Sequence, residues 1–267
     1  MHQWQLWSRS NTILQVEGVR PYLDSWNAGT DSAQIRLQTY LQELKSALGP
    51  LPIGRNDLFL HMDVDLRDPK RLKRGYDLEN YLKPVVGYLG PQRFVMASAT
   101  KRAETHYGTR ANDLEPVATV SIGIAESAGE NATMCGWEHT SCRPGSGNQK
   151  PAWKERIWQS LRAASLRPMS PGDVDVHLAW HCSSGQNWYQ PRNWSTLWKP
   201  TGDAMGPILG PVHAQDPSNR SRFNPDDHRI VSLGLHLNVD EEMDYDVEVG
   251  MWWRSRSSLI QATLIGT

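Results

Sequence analysis

The stretch Asp77-Leu-Glu-Asn-Tyr-Leu-Lys-Pro-Val-Val-Gly-Tyr-Leu-Gly-Pro91 decides how this chain reads. Asp77 and Glu79 stand two apart, Asn80 follows, and Lys83 comes about one helical turn after Glu79. Two carboxylates beside an ammonium can hold a divalent cation next to a phosphate. A faint copy follows at Asn193–Pro207, where Lys199, Pro200, Gly206 and Pro207 repeat Lys83, Pro84, Gly90 and Pro91. The motif suggests a chemistry, and its echo suggests an architecture.

The echo extends outward in both directions. Asp57-Leu-Phe-Leu-His61-Met-Asp-Val aligns without a gap with Asp173-Val-Asp-Val-His177-Leu-Ala-Trp. Upstream, Ile35, Leu37, Leu41, Leu44 and Leu48 form one helical pattern, and Trp153, Ile157, Trp158 and Leu161 form another. Downstream, Val120-Ser-Ile-Gly-Ile matches Val247-Glu-Val-Gly-Met, which implies an insert of about 11 residues in the second copy, placed around Gly210–Asn224. The preserved order predicts a tandem duplication. Its halves are residues 1–127 and 151–267, and the linker 128–150 is rich in Gly, Ser, Asn and Pro. Period predicts a strand over 57–64, a helix over 77–89, and a β-hairpin whose arms, 229–239 and 245–253, flank the acidic turn Asp240–Asp244. The fold class expected is α+β, a small mixed sheet with helices used twice.

Bulk properties narrow the function. The 267 residues are 39% hydrophobic, enough to build real cores, and no run approaches the roughly 20 apolar residues of a membrane span. The N-terminus lacks a charged-then-apolar signal, and three cysteines are too few for a disulfide framework, so a reducing cytoplasm is expected. A net charge of −1 argues against non-specific coating of nucleic acid but permits a local basic groove. Arg67, Lys70, Arg71, Lys73 and Arg74, directly before Asp77, supply one candidate. Among twelve tryptophans, Trp188 and Trp194 sit in polar surroundings and are candidates for stacking on a base, as is Tyr76. The tryptophan-rich second half is also a candidate protein-interaction surface. Cys135, His139 and Cys142, with His181-Cys182, are spaced too loosely for a usual structural zinc site.

Asp77-Leu-Glu-Asn-Tyr-Leu-Lys83 resembles the Asp-x-Asp-Asn-x-x-Lys signature of RusA-type Holliday-junction resolvases, small α+β, Mg²⁺-dependent endonucleases of bacteria and phages that act as homodimers on branched DNA. In that family a helix Asp and an Asp-Asp pair follow. The second copy supplies these as Asp203 and Asp226-Asp227. The first copy has Gly87 at the helix position, and its Asp-Asp position falls near basic Lys101-Arg102; the second has Asn193, Ser195 and Thr196 in place of the acidic signature. The resemblance implies an intramolecular pseudo-dimer that cuts branched DNA with Mg²⁺. Asp77, Glu79, Asp226 and Asp227 would hold metal, Lys83 and Lys199 would meet phosphate charge, and Arg67–Arg74 would position the backbone.

Two arrangements fit this division. One is a composite site joining Asp77, Glu79 and Lys83 to Asp226 or Asp227. The other is a catalytically silent branched-DNA-binding or assembly module whose two sites have both decayed. Simpler roles stand beside these: Asp77 as a helix N-cap, Asp226-Asp227 as a turn, Asp203 as a core hydrogen-bond partner, and His61 and His177 as structural residues.

Overall fold

The computed structural model describes residues 4–19, 31–67, 77–103, 116–128, 136–145, 150–164, 169, 171–183, 191–210, 222–240 and 247–256. Eight strands form one sheet: β1 (Trp7–Val19), β2 (Leu58–Asp65), β3 (Phe94–Arg102), β4 (Val117–Ser127), β5 (Glu138–Cys142), β6 (Val174–Ser183), β7 (Ile230–Asp240) and β8 (Glu248–Ser255). Five described helices accompany them: α1 (Asp31–Leu48), α2 (Leu78–Leu89), α3 (Lys150–Ala164), α4 (Trp198–Gly202) and α5 (Gly206–Leu209).

The strand order is β1-β4-β2-β3-β7-β6-β8-β5. Read inward from its two edges, the sheet has the same wiring twice. In each half an outer strand pairs antiparallel with a second, which pairs antiparallel with a third, which runs parallel to the innermost. The parallel pairs β2–β3 and β6–β7 even share a bulge, one residue after Leu58↔Phe94 and after Val174↔Ile230. The innermost strands meet antiparallel, with Ser98 opposite Gly234 at the middle of the joint. The sheet is thus continuous across both halves, and the architecture is mixed α+β.

Alternation explains which side is covered. Leu58, Leu60, Met62 and Val64 on β2 face the main core, with Val174, Val176, Leu178 and Trp180 on β6. Leu41, Leu44 and Leu48 of α1, Leu78, Leu82, Val85 and Val86 of α2, and Trp153, Ile157 and Leu161 of α3 pack on that same face. The expected helices are therefore present, although Ile35 points outward. The opposite face carries His61, Ser98, His177 and His236, partly roofed by Trp4, Leu6 and Trp7. His61 Nδ1 lies 2.9 Å from Ser98 Oγ, and His177 Nδ1 lies 2.8 Å from His236 Nε2, so the histidines expected to be structural are satisfied within the sheet.

Several sequence expectations need correction. The alternating segments 229–239 and 245–253 do not pair as a hairpin, because β6 lies between β7 and β8 and bonds both. A strand as buried as β6 needs partners on both edges, and that requirement overrides the local turn signal. The interval assigned as a linker contains β5, the edge strand beside β8. Register also moves one alignment: His61 faces Ser121 and His177 faces Trp252, so Ser121 corresponds to Trp252, four residues beyond the sequence match. The shift is even, so every side chain keeps its face, which is why sequence alternation could not detect it.

Candidate active site

α2 starts at Leu78 after the β2–α2 connection, and its apolar face, Leu78, Tyr81, Leu82, Val85 and Val86, fixes its rotation against the sheet. That rotation directs Glu79 inward among buried neighbours. Asp77 occupies the N-cap position, yet its side chain makes no capping bond. Its carboxylate instead accepts from Asn80 Nδ2 at 3.1 Å and lies 3.2 Å from Nδ1 of His228, in the other half of the chain. The simple capping role is therefore not the one Asp77 fills.

His228 and Asp227 belong to a 3-10 turn, Asp227–Arg229, that leads into β7. Because β7 runs antiparallel to β3, its beginning lies beside the end of β3, the end that α2 also approaches. Ligand atoms of Asp77, Asp227 and His228 consequently lie within 4.8 Å of one another. Lys199, at the start of α4, reaches into the same place. Its ammonium is 3.2 Å from Asp203, 3.4 Å from Glu79, 3.6 Å from Asp227 and 3.9 Å from Asp77. Asp203 is also paired with Lys154 on α3.

Burial and crowding set the protonation of this group. Burial, reinforced by the Asp77 and Glu79 charges, pushes the Asp227 carboxyl up to about 8. Glu79 is raised by burial and by Asp77. Burial works in the same direction on Asp77, but the His228 hydrogen bond and the Lys199 charge overcome it and hold that carboxyl below its usual range. Lys199 is raised despite its burial, because Glu79, Asp203, Asp227 and Asp77 all favour its charge. His228 is raised chiefly by its bond to Asp77. Two of the carboxylates, Asp227 and Glu79, are thus driven toward binding protons.

The expected residues divide clearly. Asp77, Glu79, Asp227 and Lys199 come together. Asp226 does not join them through its carboxylate; its backbone N–H bonds Gly210 and its carbonyl closes the turn. The ammonium among the carboxylates belongs to Lys199, whereas Lys83 sits half-buried further along α2. Arg67 lies two residues past the end of β2 with φ 55°, its backbone N–H donating to the Asp65 carboxylate. Lys70, Arg71, Lys73, Arg74, Tyr76, Trp188 and Cys135 lie outside the described residues. Trp194 is no stacking platform: it is fully buried and donates its indole N–H to Pro91 O. Trp153, Trp180, Trp198 and Trp253 are likewise core, which removes them from any interaction surface.

Sequence reasoning missed two members. His228 adjoins Asp227, and its closeness to Asp77 depends on the β3–β7 joint. Lys101 is 3% exposed, and the Asp77, Asp227 and Glu79 charges act on it, although burial pulls its ammonium below its ordinary value. One signal was available, since Lys101 continues the inward series Ala97, Ala99 on a buried strand. The family-motif alignment also misplaced its counterpart: the turn Asp227–Arg229 before β7 corresponds to the turn Pro91–Arg93 before β3, rather than to Lys101-Arg102.

No protein-family model matches the sequence, and no curated protein matches it. No helix among the described residues is long and apolar enough to cross a membrane.

Proposed function

We propose that this chain is a metal-dependent, structure-selective DNA endonuclease of RusA-like descent, a tandem duplication folded as a pseudo-dimer with one composite active site. The observation that carries the reading is the meeting of Asp77 and Glu79, from the first half, with Asp227 and Lys199, from the second, around one point. The repeated wiring of the sheet supports the duplication.

The donor set fits a divalent cation. Asp77, Asp227 and Glu79 offer hard oxygen ligands of the kind Mg²⁺ prefers, and the His228 imidazole widens the set to Mn²⁺. Such an ion would supply Lewis-acid polarisation of a phosphodiester and a more acidic bound water. The residues supply the rest. Asp77 and Asp227 would fix the ion, and Glu79, raised by burial, can accept the proton of the attacking water. Lys199 and Lys101 would be placed to offset negative charge on the phosphate.

The test is a labelled four-way DNA junction incubated with the protein and Mg²⁺ or Mn²⁺. Cleavage is expected, and Asp77→Asn and Asp227→Asn should each lower it by more than the roughly 10–100-fold that loss of an outer-shell partner costs. Undiminished cleavage by Asp227→Asn would exclude a composite site. The second reading, a catalytically silent branched-DNA-binding module, draws on one specific observation: Lys199 already pairs with all four carboxylates. Salt-sensitive junction binding without cleavage in either metal would favour it.

A further inference from the structure

The matched wiring of the two halves allows the composite site to be compared with the place that the same wiring generates at the other end of the β3–β7 joint. With Ser98 opposite Gly234 at the centre of that joint, the position of Asp77 and Glu79 before and within α2 corresponds to Asn193 and Ser195. The turn Asp227-His228-Arg229 corresponds to Pro91-Gln92-Arg93, since each directly precedes an inner strand. Lys101 corresponds to Leu237 by strand register. Every acidic or imidazole ligand of the first site therefore has a counterpart that binds metal poorly or not at all. Among the described residues, Asp77, Asp227 and His228 form the one metal-competent group.

The second place has also been rebuilt as a joint. Trp194, the counterpart of Leu78, is buried in a cluster with Trp180 and Trp198, and its indole N–H is bonded to Pro91 O. This bond fastens the 3-10 turn Pro91–Arg93 to the 3-10 segment Pro191–Leu197, the counterparts of the turn and helix start that meet in the first site. The 12-residue helix α2 is matched there by the end of the 3-10 segment Pro191–Leu197 and the 5-residue helix α4.

Sequence charge follows the same division. The connection after β2 carries Arg67, Lys70, Arg71, Lys73 and Arg74, whereas residues 183–192, its counterpart after β6, carry only Arg192. The connection from β7 to β8 begins Asp240-Glu-Glu-Met-Asp-Tyr-Asp. Along the sequence, the segment leading from β2 to Asp77 is thus basic, which favours a polyanion, and the segment following β7 is acidic, which does not.

We propose that each chain makes a single incision per DNA encounter, engaging its substrate from one side only, so that it nicks a branched duplex and does not cut two strands in concert. The inference rests on the nuclease reading above. The reaction adds one water across one P–O bond and leaves a phosphate monoester and a hydroxyl; a paired cut would need a second metal-holding carboxylate set, which the counterpart residues do not provide.

A supercoiled plasmid with an extruded inverted repeat separates the outcomes, since one nick releases the supercoiling and reabsorbs the cruciform before a later, independent cut. With protein shown by light scattering to be one chain per particle, nicked circles should accumulate as the main product, with linear molecules appearing only slowly. Linear product formed without a nicked intermediate would overturn the single-incision inference while leaving the nuclease reading intact. Unchanged supercoiled plasmid in both Mg²⁺ and Mn²⁺ would overturn both. As a second measurement, Trp194→Phe should leave the ratio of nicked to linear product unchanged; a rise in direct linear product would also count against the inference.

Discussion

Replacing Lys199 with Met keeps the aliphatic stem and removes one charge from the centre of four carboxylates. At 3.2–3.9 Å, each pair contributes about 5 kcal/mol of gross attraction at an effective dielectric of about 20. Most of this is offset by desolvating the ammonium, and a buried cluster that loses one partner typically costs 3–5 kcal/mol. The carboxylates can limit the loss by binding protons, because burial already pushes Asp227 up to about 8 and raises Glu79. The variant should therefore be about 3 kcal/mol less stable near pH 8.5 in EDTA, a drop in Tm of roughly 6–12 °C for a chain of this size. The sign of the pH effect follows from proton counting. Acids whose folded values lie above their unfolded values make the folded state bind more protons, so stability falls as pH rises through that interval. The loss should accordingly shrink at pH 6, and millimolar Mg²⁺ or Mn²⁺ should restore part of it at pH 8.5. Thermal melts at the two pH values, with and without metal, measure all of this. An equal loss at both pH values, unaffected by metal, would refute the reasoning and point to simple packing of the lysine stem.

Other parts of the molecule yield independent expectations. Gly234→Ala would place a Cβ 2.3 Å from His177 Nδ1 and 2.6 Å from its Cε1, so urea denaturation should show a loss of about 1–3 kcal/mol, whereas Gly87→Ala, with open space around it, should cost nothing. Burial lowers His61 and His177 to about 4; the unfolded state then binds more protons below pH 6.5, so stability should fall between pH 6.5 and 4 by about 2–3 kcal/mol per histidine at pH 4.5. His61→Gln should flatten its share of that slope in denaturant titrations, and an unchanged slope would exclude it as a source. Trp194→Ala should cost about 3–5 kcal/mol by calorimetry, as expected for a core indole and not for a surface stacking platform.

The sequence by itself determined the local elements and half of the site. Period placed β2 and β6, the helices α1, α2 and α3, and the acidic start of α2, because alternation and the 3.6-residue repeat are written in consecutive residues. The pairing of Asp77 and Glu79 with Asp227 is conceivable from the sequence, since the motif it resembles would be divided between residues 77–83 and residues 199–227. Tertiary structure decided the rest. β6 inserts between β7 and β8, so a pair of strands that reads as a hairpin is not one. Lys199 rather than Lys83 lies among the carboxylates, and Lys101 and His228 join them, because β3 and β7 run antiparallel with Ser98 opposite Gly234. Residues brought together across that joint are far apart in the chain, and no local periodicity records which strand lies beside which.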